Sequence, residues 1–574
     1  MNRYSTLLIG LFVLSLIAAC SSVPTEKTTL AAQPIAEPAS ESNEIPTPAP
    51  TVAPICTLLD ADAAKIDDLR WWNETVFYEI FVRSFYDSDG DGIGDFNGIT
   101  ERLDYLNDGD PNTSDDLGIT GIWLMPINAS PSYHGYDVTD YLAVNEEYGT
   151  IEDFQRLLDE AHQRGIKVII DLVLNHTSTQ HPWFQEASTN PDSPYRDYYL
   201  WTDSPPSYKS PWGSDVWHRL DSGFYYAIFW GGMPDLNYNN PEVTTEMQEV
   251  IRFWLEDVGV DGFRLDAIKH LIEDGSIQEN TPATHAWWEG FYDYYTSVNP
   301  EAFTVGEAWT STSEVVKYIG DEMNIAFEFD TAGAILDSAR SETNRYIQQA
   351  HQIDLESYPP HQYATFLTNH DQGRIMSELR NKGGQAKTAA SLLLTGPGVP
   401  FLYYGEEIGQ SGRKPDENIR TPMQWSDETY AGFTSADLPW RRPQDDYDEK
   451  NVAQQTDNPD SLLNHYRQLI HARNDYRALR TGSFLELPTS DRRLYAFLRY
   501  TDDQILLILI NMSKDPIEDY RFCLSDGSLQ TDTATEILHE AEVNPPDLNS
   551  NGGFDGYQPI DVLEAYTTYI IELK

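Results

Sequence analysis

Four short segments of this chain each close an apolar, β-rich run and each deliver polar side chains: DLVLNH (171–176), GFRLDAIKH (262–270), GEAW (306–309) and TNHD (368–371). Among them Asp266, Glu307 and Asp371 are carboxylates, Arg264 is a fixed cation, and His176 and His370 are imidazoles. Cleavage of a glycosidic bond needs such a set. It takes one carboxylate as nucleophile, one carboxylic acid to protonate the leaving oxygen, and further polar groups that hold the sugar and favour a charged transition state. Arg264 and Asp266 are two residues apart, so on a strand they share a face and the cation keeps the carboxylate ionised, as a nucleophile requires. Glu307 is followed by Ala308 and Trp309, a partly apolar setting that raises a carboxyl pKa and suits a general acid. Alone, an Arg-x-Asp pair is ordinarily a structural ion pair and a strand-end Glu a solvated charge; their joint occurrence gives the segments meaning.

A second constellation is DSDGDGIGD, with Asp87, Asp89, Asp91 and Asp95 at alternate positions around Ile93. With Gly92 at the sixth position it resembles the first part of an EF-hand loop, since a hard cation needs several oxygens wrapped by a tight turn. The twelfth position is Gly98 instead of the bidentate Glu.

The elements that must carry these groups are legible as eight β-branched and aromatic runs: 76–85, 119–127, 166–174, 260–266, 303–307, 325–329, 363–368 and 399–404. Amphipathic stretches separate them, for example 151–164, where Phe154, Leu157, Leu158 and Ala161 follow helical spacing after Thr150. This alternation predicts an α/β fold, a (β/α)₈ barrel spanning 56–480, with chemistry at the C-terminal ends of its strands. The stretch 177–232 is too long for an ordinary connection and dense in Trp, Tyr, Pro, Ser and Asp, so it reads as an inserted domain. From 481 to 574 strand-like runs recur between turn formers, which predicts a C-terminal antiparallel β-domain.

Composition narrows the partners. The 574 residues carry 38 basic against 92 acidic side chains, a formal net charge of -54, which argues against nucleic acid or anionic lipid as a partner. A neutral glucan meets no such repulsion. Residues 1–19 begin with Arg3 and run apolar from Leu7 to Ala19, too short to span a bilayer, and read as a secretory signal peptide. Residues Ile17 to Cys20 resemble a bacterial lipobox, which makes Cys20 the lipidated first residue of the mature chain. Residues 20–55, rich in Pro, Ala, Thr, Ser and Glu, cannot bury a core and read as a disordered tether. Export permits Cys56 and Cys523 to pair, and equally two separate thiols.

The four segments, in their order and spacing, resemble the α-amylase family of glycoside hydrolases from about Trp71 to the C-terminus. That resemblance implies a retaining mechanism with Asp266 as nucleophile, Glu307 as acid and then base, and Asp371 as the transition-state stabiliser. It places Tyr136, His176, Arg264 and His370 around the sugar before the scissile bond, and Lys269 with His270 on the leaving-group side. The insertion corresponds to the family's domain B after the third strand. The aspartate loop is similar to the calcium loop of the oligo-1,6-glucosidase-like branch, with Asp87, Asp89, Asp91, the Ile93 carbonyl and Asp95 as Ca²⁺ ligands and no organic cofactor. A further calcium in some amylases uses positions matching Asn175 and the His270 carbonyl, with aspartates of the insertion that the sequence does not identify. Ala267 resembles enzymes acting on α-1,4 links. Tyr133 replaces the Asp with which exo-acting relatives grip a non-reducing end, and Met233–Asn237 (MPDLN) resembles the group intermediate between the oligo-1,6-glucosidase and neopullulanase branches. The expectation is a membrane-tethered, endo-acting α-amylase on α-1,4-glucans. The alternatives are an exo-acting α-glucosidase, cyclomaltodextrinase or transglycosylase of the same family, or a non-catalytic glucan-binding lipoprotein.

Overall fold

The computed structural model describes residues 56–59, 69–527 and 529–574. The predicted leader, Cys20 and the 20–55 tether lie outside the described residues. No helix among the described residues is long and apolar enough to cross a membrane.

Eight strands close a parallel barrel: β1 Phe77–Ile80, β2 Gly121–Leu124, β3 Lys167–Leu172, β4 Gly262–Leu265, β5 Phe303–Gly306, β6 Ile325–Phe327, β7 Tyr363–Phe366 and β8 Val399–Tyr403. Apart from Lys167, every residue of these strands is buried, which is why they read as continuous apolar runs and not as alternating ones. The period of two reappears inside the barrel. Phe77, Trp123, Ile169, Phe303, Val305, Ile325, Phe327, Ala364, Phe366 and Phe401 form one inner cluster, with Phe77 stacked on Phe401 at 4.4 Å. Their sequence neighbours, such as Tyr78, Ile122, Ile170 and Leu402, face the helices in a separate outer core. Two residues further along four of the strands, the inner face turns polar: Glu79, Asp171, Arg264 and Glu307 follow Phe77, Ile169, Gly262 and Val305.

The structure differs from the expected strand bounds where an apolar run continues into a buried helix. The run from Val76 to Phe85 is a strand only to Ile80 and then a short helix, Val82–Phe85, whose four residues are all buried. Likewise β6 stops at Phe327 because Phe329 opens the helix Phe329–Ser341. The helix Ile151–Gln163 starts at a reciprocal Thr150–Asp153 capping box and ends with Arg164 as its cap.

Between β3 and β4 the chain forms the helix Pro182–Thr189 and a three-stranded antiparallel sheet of Trp201–Thr202, Gly223–Tyr226 and Trp217–Leu220. After the barrel, Ser483–Glu486, Leu494–Tyr500, Ile505–Asn511, Thr568–Leu573 and Ala534–Glu536 form a five-stranded antiparallel sheet with its own core. A smaller sheet beside it recruits the start of the described chain. Thr57–Leu58 pairs in parallel with Phe522–Asp526, and Cys56 is disulfide-bonded to Cys523 with a Cα separation of 4.5 Å. The pairing that the sequence left open is made.

Candidate active site

Arg264, inward on β4 and fully buried, organises the C-terminal mouth of the barrel. Its Nη1 lies 2.7 Å from Asp266 Oδ1 and 2.9 Å from Asp171 Oδ1, while Nη2 lies 3.0 Å from Glu307 Oε2. One guanidinium therefore holds three carboxylates from three adjacent strands. Register makes this possible, because Arg264 pairs with Asp171 across β3 and with Val305 across β5. Close approach at the strand start is also required: a Cβ on Gly262 would sit 2.0 Å from the Phe303 carbonyl oxygen. Directly after Asp266 the backbone turns left-handed at Ala267, φ 49°, which brings the Ala267 N–H to 3.2 Å from Glu307 Oε2. A β-branched residue is disfavoured in that conformation.

Burial pushes the Asp266 and Glu307 carboxyls up, against the pull of Arg264, and each is raised further by the charge of neighbouring carboxylates. The cluster consequently holds protons more firmly than isolated carboxyls do. Asp171 is pushed up by burial to about 7, again opposed by Arg264. Asp371 goes the other way. Burial opposes its ionisation, but His370 and Arg420 outweigh it and hold the carboxyl well below its usual range, and its side chain stays 37% exposed toward the cleft. Arg420 Nη2 is 2.8 Å from Asp371 Oδ1.

A cleft of about 650 Å³ covers these groups, lined by Tyr136, His176, Asp266, Glu307, Asp371, Lys269 and His270 among others. A larger cavity, about 780 Å³, lies at the opposite end of the barrel, where Asn73, Ala302, Asn324, Tyr363 and Pro397 precede or begin their strands. It contains none of the four polar segments, so chemistry and not size selects the cleft. Arg264 and His370 are placed behind the cleft wall, buried at 1% and 0% exposure, and reach the cleft through Asp266, Glu307, Tyr136 and Asp371. His176 is buried and neutral, its pKa pushed down by burial to about 4, and its Nε2 has no partner. His270 is held the same way at about 4, with Nδ1 2.8 Å from the Gln278 carbonyl oxygen. Lys269 donates to Glu279 at 2.8 Å and to the Trp309 carbonyl oxygen at 2.9 Å.

Sequence reading missed several cleft residues. Arg420, Asp416 and Lys414 come from the region after β8, Lys414 paired to Asp416, and no motif marks them. Trp212, 58% exposed, comes from the insertion and lies 5.6 Å from the His270 ring. Tyr133 gives the cleft no charge. It lies against Trp440 at 5.5 Å with the rings nearly parallel. Asp171 and Glu79 did leave a signal, since each is an acidic residue at an inward position of a strand that is otherwise apolar.

Two groups of oxygens suit a hard cation. Ligand oxygens of Asp87, Asp89 and Asp95 all lie within 4.8 Å of one another. Asp91 is not in that close group, and its Oδ1 accepts from the Ile93 N–H at 2.7 Å. At the junction of insertion and barrel, Asn175 Oδ1, Asp235 Oδ2 and Glu273 Oε1 are buried without hydrogen-bond partners. Burial and then the Glu273 charge push the Asp235 carboxyl up, a penalty that a bound cation would relieve.

Residues 79–482 match the family model described as the α-amylase catalytic domain. The chain belongs to the α-amylase family. It is 40% identical over 451 residues to α-amylase 3 of Dictyoglomus thermophilum, covering 77% of this chain and 86% of that one. Over 496 residues it is 38% identical to the trehalose synthase/amylase TreS of Mycolicibacterium smegmatis, covering 75% and 81%. The crystal structure of an α-amylase from H. orenii superposes with a TM-score of 0.75 at 43% identity, covering 87% of this chain and 99% of that one. This α-amylase family glycoside hydrolase is thus an enzyme whose barrel and C-terminal sheet match those expected from its sequence.

Proposed function

We propose that this enzyme is an endo-acting α-amylase that hydrolyses α-1,4-glucosidic bonds of starch-like glucans and maltooligosaccharides with retention. The observation that carries the reading is the placement of Asp266 and Glu307 on the two arms of Arg264, with Asp371 lining the same cleft. Asp266 attacks the anomeric carbon while Glu307 protonates the departing oxygen; water then releases the glycosyl group with Glu307 as base. Asp371, kept ionised by His370 and Arg420, favours the positive charge that develops on the ring. Tyr136 and His176 line the cleft on the sugar side, and Lys269 and His270 serve the leaving-group side.

Internal attack is supported by Tyr133, which is stacked on Trp440 and carries no charge to grip a chain end. The TreS relative's name supports the alternative of a transferring enzyme. A time course on soluble starch and on a blocked maltoheptaoside, with Glu307→Gln as control, tests the reading. Early mixed oligosaccharides with cleavage of the blocked substrate are expected. Glucose alone, with the blocked substrate intact, would move the assignment to an exo-acting α-glucosidase. No product from either substrate would leave a glucan-binding protein.

The reading includes Ca²⁺ held by Asp87, Asp89 and Asp95, with Asp91 and Ile93 completing the loop, and a second cation on Asn175, Asp235 and Glu273. Both would supply structure and not a reaction step. A ligand at 100 times its Kd stabilises the folded state by about 2.7 kcal/mol, so chelation should lower Tm and added calcium restore it. Asp89→Asn and Asp235→Asn should each remove part of that response; an unchanged Tm on chelation would reject both sites. We further propose that the enzyme is exported and anchored to a bacterial membrane through Cys20, its acidic surface making no other lipid contact.

A further inference from the structure

Glu79 is the inward residue of β1 two positions after Phe77, and its side chain is 3% exposed. Its Oε1 lies 2.5 Å from His370 Nδ1. On the other side of the ring, His370 Nε2 lies 2.7 Å from the Tyr136 hydroxyl and 3.3 Å from Asp371 Oδ2. The Tyr136 hydroxyl also lies 3.1 Å from Oδ2 of Asp171, a carboxylate whose Oδ1 and Oδ2 both accept from Arg264 Nη1. A continuous hydrogen-bonded chain thus runs from Glu79 through His370, Tyr136, Asp171 and Arg264 to Asp266.

With its carboxyl groups ionised, donor and acceptor counting assigns the protons along it. An ionised Asp371 only accepts, so Nε2 must carry hydrogen. Once Asp171 is ionised, above about pH 7, it takes the Tyr136 proton, which leaves the Tyr136 oxygen to accept from the same Nε2–H. With Nε2 a donor, an ionised Glu79 on the other nitrogen requires Nδ1 to donate too. We propose that Glu79 is a positioning residue of this reaction, which by accepting the Nδ1 proton holds His370 doubly protonated behind Tyr136 and Asp371 and so fixes both groups against the sugar. The inference rests on the glycosidase reading of the same cleft.

The groups that face His370 are Glu79 from β1, the Trp123 ring edge from β2, Asp171 from β3, Arg264 and Asp266 from β4, and Glu307 after β5. From the loops come Tyr136, Asp371 and Arg420, whose Nε donates to the His370 carbonyl oxygen at 3.0 Å. Burial alone would push the imidazole down, but Asp371 and Glu79 outweigh it, and its pKa is pushed up to about 9.

The test separates His370 from the ionisation of Glu307. In a Glu307→Gln background, maltotriose binding should show an alkaline limb near pH 9, separate from the ionisation of Asp171 near 7; adding Glu79→Gln should move that limb down by about 1–3 pH units. Independently, ¹³C-labelled histidine NMR of the wild-type enzyme, with the His370 signal assigned by its loss in His370→Asn, should show an imidazolium through neutral pH. A His370 that titrates below pH 7 in the wild type overturns the proposal even if Glu79→Gln does not fold. So does a binding limb unmoved by Glu79→Gln in a folded variant. A wild type that cleaves no glucan would instead sink the glycosidase reading, and the NMR result stands apart from it.

Discussion

Asp266→Asn should lower kcat on maltooligosaccharides by about 10⁴- to 10⁶-fold, the range seen when a covalent nucleophile is removed, equivalent to about 5–8 kcal/mol of transition-state stabilisation. The amide keeps the shape of the carboxyl but cannot form the glycosyl ester. KM should change little, because the cleft walls are untouched and Arg264 keeps Asp171 and Glu307 as partners. Retention of the fold is therefore expected, and a circular-dichroism melt close to that of the wild type would show it. Initial rates on maltotetraose give the answer. Activity above about a hundredth of wild type would move the nucleophile elsewhere, with Asp171 the nearest candidate on the same guanidinium.

Glu307→Gln should cost about 10²- to 10⁴-fold on natural substrates, the usual contribution of a general acid–base group. Its signature is more informative than its size. A maltoside of an acidic phenol leaves without protonation, so the variant should still form the glycosyl-enzyme from it and then stall, because no base activates water. Stopped-flow should show a burst of phenol equal to the enzyme concentration, followed by a slow steady state. The pH profile should change too. Burial raises the wild-type Glu307 carboxyl, so the acid form persists above the usual carboxylate range and the rate falls as pH rises through that raised value. With Gln the alkaline limb due to this group should vanish. A variant with equal loss on both substrates and no burst would remove Glu307 from the acid role.

The barrel was readable because burial on both faces makes each strand a solid apolar run, and the four polar segments were readable because each ends such a run. Bounds failed where Val82–Phe85 and Phe329 continue the apolar pattern as buried helix, since periodicity does not separate the two over four residues. Arg420 and Trp212 were missed for a different reason. They reach the cleft from loops far along the chain, and only closure of the barrel and folding of the insertion bring them in. Asp235, just past the expected boundary at 232, and Glu273, beyond β4, carry buried unpartnered oxygens that no motif marked. Glu79 needed the inner-outer alternation of β1 to be known, because alone it is one acidic residue in an apolar run.

The disulfide between Cys56 and Cys523, with Thr57–Leu58 laid beside Phe522–Asp526, decides how mechanical load would enter this molecule. A pull arriving along the chain ahead of Cys56 is taken up at once by the sheet of the last domain, and the barrel that follows is bypassed. A protease that nicks a surface loop anywhere between the two cysteines leaves both fragments covalently joined. An enzyme worked at the end of a leash would in this way be held by its rear domain, leaving the catalytic barrel unloaded.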